Sequence, residues 1–123
     1  MHALRHVHKL LVPRGILVDL HPVREEQVET RDGAVVGVIA DPAFSVDLPN
    51  AEACLESAIR DGLYTLEAET EFDFLQHFDE VGELIGAKRE NLADQPSLVH
   101  RIQAATPPVV IREHCVLRRL RVC

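Results

Sequence analysis

The most regular pattern in the chain is an alternation of apolar and acidic residues over positions 63–78. The two parities carry different residue types, with Tyr64, Leu66, Ala68, Phe72, Phe74 and Phe78 on one and Glu67, Glu69, Glu71 and Asp73 on the other. A period of two is typical of a strand with one buried face. The pattern therefore predicts a long strand whose aromatic residues Phe72 and Phe74 fill the main core.

A second strand-like stretch, Val109–Val122, carries the opposite charge. Arg112 and Arg118 alternate with apolar residues, and Arg119 and Arg121 follow a predicted bulge at which the parity changes. Carboxylates along one face of a lone ribbon repel each other, so they need a basic neighbour. We expect this strand to pair antiparallel with residues 63–78, its basic face beside the acidic one.

The N-terminal third predicts a helix, a buried strand and a hairpin. Residues 2–12 show apolar spacings of three and four and stop at Pro13. Residues 16–20 are apolar on both parities, which is typical of a strand covered on both faces in a parallel sheet. The Asp32-Gly33 pair between two strand-like runs predicts a hairpin over about 26–40.

The remaining segments predict three further helices. Residues 41–49 contain two prolines and are expected to form a loop, after which Asn50 caps a helix over 51–61. A helix capped by Asp79 ends at Gly86, and a solvated connection over 88–94 leads to a helix that has Pro96 in its first turn.

Composition and charge restrict the classes of function. The chain has 123 residues, of which 46% are hydrophobic, and this suits one domain. Its net charge of -7 argues against nucleic acid as a partner.

No run approaches the roughly 18 apolar residues of a membrane span, and no secretory leader is recognisable. Cys54, Cys115 and Cys123 are odd in number and form no CxxC motif, which favours a reducing, cytoplasmic setting.

Two polar residues close the predicted buried strand and are the candidate catalytic residues. Asp19 and His21 are two positions apart, so they point to the same side of the sheet, at the strand end where open α/β sheets bind ligands. They are candidates for a general base or a substrate contact. The alternative is a polar pair that forms a turn beside Pro22.

No metal site is expected from the remaining histidines and acids. His2, His6 and His8 lie on the first predicted helix without an acidic third ligand. The acids of residues 67–73 are spread along a strand and do not converge on one point.

Residues 4–21 resemble part of a known family. The helix, the turn Leu11-Val12-Pro13-Arg14-Gly15 and the following ILVDL strand are similar to the helix, L-x-P-G-G turn and fifth strand of class I S-adenosylmethionine-dependent methyltransferases. In that family a helix follows, and the last two strands form an antiparallel ribbon at one edge of an otherwise parallel sheet. Arg14 stands where the family has one of its two glycines, so we expect a differently shaped turn.

The resemblance covers the whole chain as the C-terminal, substrate-side half of that fold. It implies an α/β fold: a partial Rossmann-like methyltransferase sheet with an antiparallel C-terminal strand pair and flanking helices, in a single domain over 1–123 with a hairpin insert at about 26–40. The family holds its cofactor with an E/D-x-G-x-G-x-G loop, and none of the six glycines lies in such a loop. S-adenosylmethionine is therefore expected only when a complementary N-terminal methyltransferase half is present, and no cofactor for the isolated chain.

Two hypotheses about function follow. In the first, the chain is methyltransferase-like by ancestry but incomplete and inactive as an isolated polypeptide. In the second, it is a non-enzymatic interaction or small-ligand-binding module. Because the strand at 16–20 has only one obvious neighbour, its bare edge predicts either a homodimer or pairing with the complementary methyltransferase half.

Overall fold

The computed structural model of the protein describes residues 2–123, without the side chain of His2. Its elements in chain order are α1 (His2–Leu10), β1 (Ile16–Pro22), β2 (Gln27–Thr30), β3 (Val35–Val38), α2 (Phe44–Arg60), β4 (Tyr64–Phe78), α3 (Val81–Ala87), α4 (Arg89–Leu92), α5 (Pro96–Ala104) and β5 (Val109–Val122). Over the described residues, no helix combines the length and apolar character that crossing a bilayer requires.

The fold is mixed α/β with an open, five-stranded antiparallel sheet. β5 is the strand with most neighbours, because it pairs with β1, β2 and β4, while β3 pairs with β2. Ile16 lies opposite Arg121 in the β1–β5 pair, and Gln27 lies opposite Arg112 in the β2–β5 pair. The parallel surroundings expected for β1 are therefore wrong for this sheet, whereas the hairpin at Asp32-Gly33 is confirmed by the β2–β3 pairing.

The predicted pairing of the acidic and basic strands is confirmed by β4 and β5. Their ion pairs run in opposite directions along the two strands, joining Asp73 to Arg112, Glu69 to Arg118 and Glu67 to Arg121. Opposite charges on adjacent strands therefore neutralise the acidic row, as the sequence predicts.

The chain divides into two compact units, each with its own core. The first consists of the described residues up to Val23, of Pro42–Phe72 and of Cys115–Cys123, and its buried residues are Leu55, Ala58, Tyr64, Leu120 and Val122. The second consists of Arg24–Asp41 and Asp73–His114, and its buried residues are Val28, Ile39, Phe78, Leu84, Leu92, Leu98, Ile102, Val109 and Ile111.

The predicted burial of the apolar face of β4 is wrong along most of the strand. Phe72 and Phe74 are 37% and 55% exposed, and β4 contributes only its two end residues, Tyr64 and Phe78, to the described cores. Among the described strands β4 pairs with β5 alone, so it is an edge strand. Alternation predicts which residues share a face, but it does not supply the element that covers that face.

The expectation that β1 is covered on both faces is also wrong. Leu17 is packed against the first core, whereas Ile16, Val18 and Leu20 on the other parity are 45%, 61% and 57% exposed. Leu4 and Leu11, in and just after α1, and Leu55 of α2 belong to the same core as Leu17, so the helices cover one face of the strand.

Two predicted loops are partly helical. α2 begins at Phe44 and contains Pro49, rather than beginning after an Asn50 cap. The proline removes one helical hydrogen bond, and the first turn is held by the amides of Val46 and Asp47, which donate to the carbonyl of Ala43. Residues 88–94 contain the short helix α4, whose Leu92 is buried.

The turn between α1 and β1 adopts the shape that a glycine would favour. Arg14 has φ 65°, and the amide of Gly15 donates to the carbonyl of Val12 at 2.9 Å. Pro13 in the second position and a positive φ in the third are typical of a type II turn. The expectation of a differently shaped turn is wrong: the chain accepts a left-handed arginine, at roughly 1–2 kcal/mol, to keep the geometry.

Candidate functional site

Five charged side chains meet within the first unit, on the helix-covered side of β1. They come from four elements: Asp19 and His21 from β1, Glu52 from α2, Glu69 from β4 and Arg118 from β5. Asp19 and Arg118 lie directly opposite each other in the β1–β5 pair, and opposite residues share a face. Strand register therefore places Asp19, one of the two sequence candidates, against a buried cation.

Arg118 is the centre of this cluster and is only 8% exposed. Its Nη1 donates to Asp19 Oδ2 at 3.3 Å, and its Nη2 donates to Glu52 Oε1 and Oε2 at 3.1 and 2.9 Å. Its Nε donates to Glu69 Oε2 at 3.2 Å. One guanidinium thus joins β1, α2 and β4 to β5.

The charge of Arg118 is maintained by its partners. Burial, the largest influence, lowers the pKa of the guanidinium, but the hydrogen bonds and charges of Glu52 and Glu69 outweigh it and raise the pKa overall. A buried arginine is stable when its donors are satisfied in this way.

His21 bridges two of the same carboxylates. Its Nδ1 lies 3.1 Å from Asp19 Oδ1 and its Nε2 lies 2.9 Å from Glu52 Oε1. An ionised carboxylate only accepts hydrogen bonds, so both contacts are hydrogen bonds only when both ring nitrogens carry hydrogen. Both ring nitrogens of His21 are thus directed at carboxylates of the cluster.

A pocket of about 240 Å³ lies beside Asp19 and His21. These two side chains form its polar side, and its other lining residues are Ala3, Leu4, Ala51, Cys54 and Leu55. The pocket lies wholly within the first unit, among α1, β1 and α2. The candidate site thus combines an apolar cavity with two members of a charged network.

A second cluster of charged side chains lies in the second unit and links three strands. Arg112 Nε donates to Glu29 Oε2 and its Nη1 donates to Asp73 Oδ2, both at 2.7 Å, while His114 Nδ1 lies 2.7 Å from Asp73 Oδ1. The hydrogen bond with His114, followed by that with Arg112, lowers the pKa of Asp73. These bonds join β2, β5 and β4.

The other sequence candidates are dispersed. His6 faces solvent and His8 packs edge to face on the buried Tyr64, with ring centroids 5.4 Å apart, whereas the side chain of His2 lies outside the described residues. Cys115 is buried. Within the part of the chain that the structure describes, no group of three or more His, Cys, Asp and Glu side chains has a metal-binding arrangement.

The sequence predicts two of the five members of the cluster, Asp19 and His21, and does not predict Glu52, Glu69 and Arg118 as members. The charge pattern pairs Arg118 with the acids of β4, and in the structure Arg118 also binds the half-buried carboxylate of Asp19 on β1. Glu52 precedes the buried Leu55 by three positions, so it borders the apolar face of its helix. That placement is the one sequence signal for its contact with the sheet.

Comparison of the chain with protein-family models, curated proteins and solved structures identifies no match.

Proposed function

We propose that this chain is the substrate-side half of a methyltransferase-like domain, which needs a complementary polypeptide to bind S-adenosylmethionine. The arrangement of three strands supports the proposal: β5 pairs with both β1 and β4 in an antiparallel sheet. In the family that the sequence resembles, the last two strands form such a ribbon at the sheet edge, after the fifth strand. Arg14 adds support because it keeps the positive φ of the family's glycine turn.

The observation that carries the proposal is the incomplete cover of β1. Ile16, Val18 and Leu20 form an exposed apolar row, and in the described chain β1 pairs along one edge only, with β5. A free strand edge beside exposed apolar side chains is a surface that proteins normally cover. A further strand from the cofactor-binding half would pair with this edge and bury the row.

The position of the pocket agrees with a substrate-side role. Asp19 and His21 lie toward the carboxyl end of β1. In the proposed complete domain β1 would belong to a mostly parallel sheet, and such sheets bind ligands outside the carboxyl ends of their strands. His21 and Asp19 are the substrate contacts in this proposal, and Arg118 and Glu52 are positioning residues that hold them.

A fusion protein tests this function. The glycine-rich half of a class I methyltransferase, ending at its fourth strand, is joined ahead of residue 2, and S-adenosylmethionine binding is measured by calorimetry. We expect binding by the fusion and none by the isolated chain. In a matched fusion, Val18→Lys should weaken binding at least about tenfold, because a charge then faces the docked half. The same measurement on the glycine-rich half alone gives the reference affinity.

Two outcomes contradict the proposal. Binding of S-adenosylmethionine by the isolated chain would show that the cofactor site is complete without a partner. Equal affinity for S-adenosylmethionine of the glycine-rich half alone, the fusion and its Val18→Lys variant would show that the glycine-rich half does not dock on the β1 surface.

A second candidate function, a homodimeric interaction module, is favoured by the symmetry of the same row. If two copies of β1 pair antiparallel about Val18, Ile16 of one copy lies opposite Leu20 of the other, so the exposed row matches itself. Such isologous pairing covers both open edges at once.

Sedimentation of the isolated chain at micromolar concentration measures this pairing. We expect a dimer that Val18→Lys converts to a monomer, whereas Val46→Lys, at an exposed position of α2, leaves the dimer intact. A monomeric wild-type chain would reject the homodimer and leave the complementary half as the partner of β1.

A further inference from the structure

We infer that the pocket beside Asp19 and His21 binds a small amine in its ammonium form, with a short apolar body. This deepens the proposed function by naming the substrate class of its site, and to that extent it rests on that function. The inference itself depends only on residues of the first unit.

The walls of the pocket select an apolar body. Ala3 and Leu4 of α1 face Ala51, Cys54 and Leu55 of α2 across the cavity, and all of these side chains are apolar or nearly so. A volume of about 240 Å³ holds roughly eight non-hydrogen atoms, if each occupies about the 30 Å³ of a water molecule. Typical small-molecule sites have about 300–1,000 Å³, so the ligand is small.

The polar side of the pocket selects a hydrogen-bond donor. Both ring nitrogens of His21 and three nitrogens of Arg118 are already directed at carboxylates. Asp19 accepts from His21 and Arg118, but a carboxylate has about four lone-pair sites and retains capacity to accept more. Arg118 does not line the pocket, so a ligand that only accepts hydrogen bonds meets His21, whose two ring nitrogens already face carboxylates.

The balance of charge selects a cation over a neutral donor. The cluster contains three carboxylates, those of Asp19, Glu52 and Glu69, against at most two cations, Arg118 and His21. An ammonium group beside Asp19 would complete the balance, and charge-assisted hydrogen bonds are roughly twice as strong as neutral ones. A carboxylate or phosphate ligand would instead meet an excess of negative charge.

The alternative is that the five side chains form a structural ion-pair network and the pocket has no ligand. The two possibilities differ in a measurable way, because a network without a site discriminates neither the charge nor the shape of an added molecule.

Nuclear magnetic resonance titration of the isolated full chain makes that measurement, with n-butylammonium, n-butanol and butyrate as matched probes. We expect n-butylammonium to shift the amide signals of Asp19, His21 and Cys54 saturably, butanol to bind at least about tenfold more weakly, and butyrate to leave them unchanged. Asp19→Asn should weaken n-butylammonium binding about tenfold. Glu56→Gln removes an acid from an exposed position of α2 outside the pocket, and should leave binding unchanged.

A second variant keeps the test decisive if Asp19→Asn unfolds the protein. Ala51→Leu fills part of the pocket with a larger apolar side chain, from an exposed helix position and without changing a charge. It should abolish the shifts that n-butylammonium causes, while the rest of the spectrum is retained. Equal shifts with all three probes, no saturable shift with n-butylammonium, or unchanged binding by Ala51→Leu would overturn the inference. The titration needs neither cofactor nor partner, so its failure is distinguishable from failure of the fusion experiment.

Discussion

Replacing Phe78 with alanine should lower the free energy of unfolding by about 3–5 kcal/mol, whereas the same replacement at Phe74 should lower it by less than about 1 kcal/mol. Both rings belong to β4 and are four positions apart, but Phe78 is 7% exposed and Phe74 is 55% exposed. Phe78 contributes to the core of the second unit, so its removal leaves a cavity among packed side chains. The ring of Phe74 leaves no comparable cavity, because solvent already reaches it.

Urea denaturation followed by circular dichroism measures both values under the same conditions. Phe72→Ala serves as a second exposed control, since its ring is 37% exposed. Similar large losses at all three positions would mean that another element, or a second copy of the chain, covers the middle of β4 in solution.

The contrast between these rings shows what a period of two can predict. Alternation placed Tyr64, Phe74 and Phe78 on the same parity, and the two residues that end β4 are indeed buried. It could not predict that the middle of the face lacks cover, because cover depends on which helices pack there. The same limit explains β1, where Leu17 is packed and Val18 is exposed although both are apolar.

Charge was a better guide to strand pairing than hydrophobicity was to burial. A row of acids requires nearby cations in any fold, so the partner of β4 could be inferred from Arg112 and Arg118. Helix limits were less predictable, since Pro49 indicates a break in the sequence but lies inside α2. A proline removes a single helical hydrogen bond there, and the flanking residues complete the helix.

The candidate site was predictable only as far as one strand defines it. Asp19 and His21 are neighbours on β1 in any arrangement, and a strand end is a common place for ligands. Glu52 is distant in sequence and reaches His21 through the packing of α2, which no local pattern specifies. An ionised Asp19 in a mostly apolar strand is nevertheless a sequence feature that favours a neighbouring cation.

Arg118 is the cation beside Asp19, and the stability of the first unit should depend on it more than on any other charged residue. Arg118→Met should lower the free energy of unfolding by about 3 kcal/mol, because Asp19, Glu52 and Glu69 lose the guanidinium that holds them together. Breaking a buried ion pair typically costs about 3–5 kcal/mol, and we expect the lower end because these carboxylates retain 29–44% of their exposure and can be hydrated.

Arg119→Met is the matched control, because Arg119 is the next residue on β5 and also binds an acid, Glu67, but its side chain is 52% exposed. Its loss should change the free energy of unfolding by no more than about 0.5 kcal/mol. Adding Glu52→Gln to Arg118→Met should recover about 1 kcal/mol, because it removes one of the stranded charges. Equal losses for the two arginines, or a further loss on adding Glu52→Gln, would mean that Arg118 stabilises the unit by packing its aliphatic stem and not by neutralising the three carboxylates.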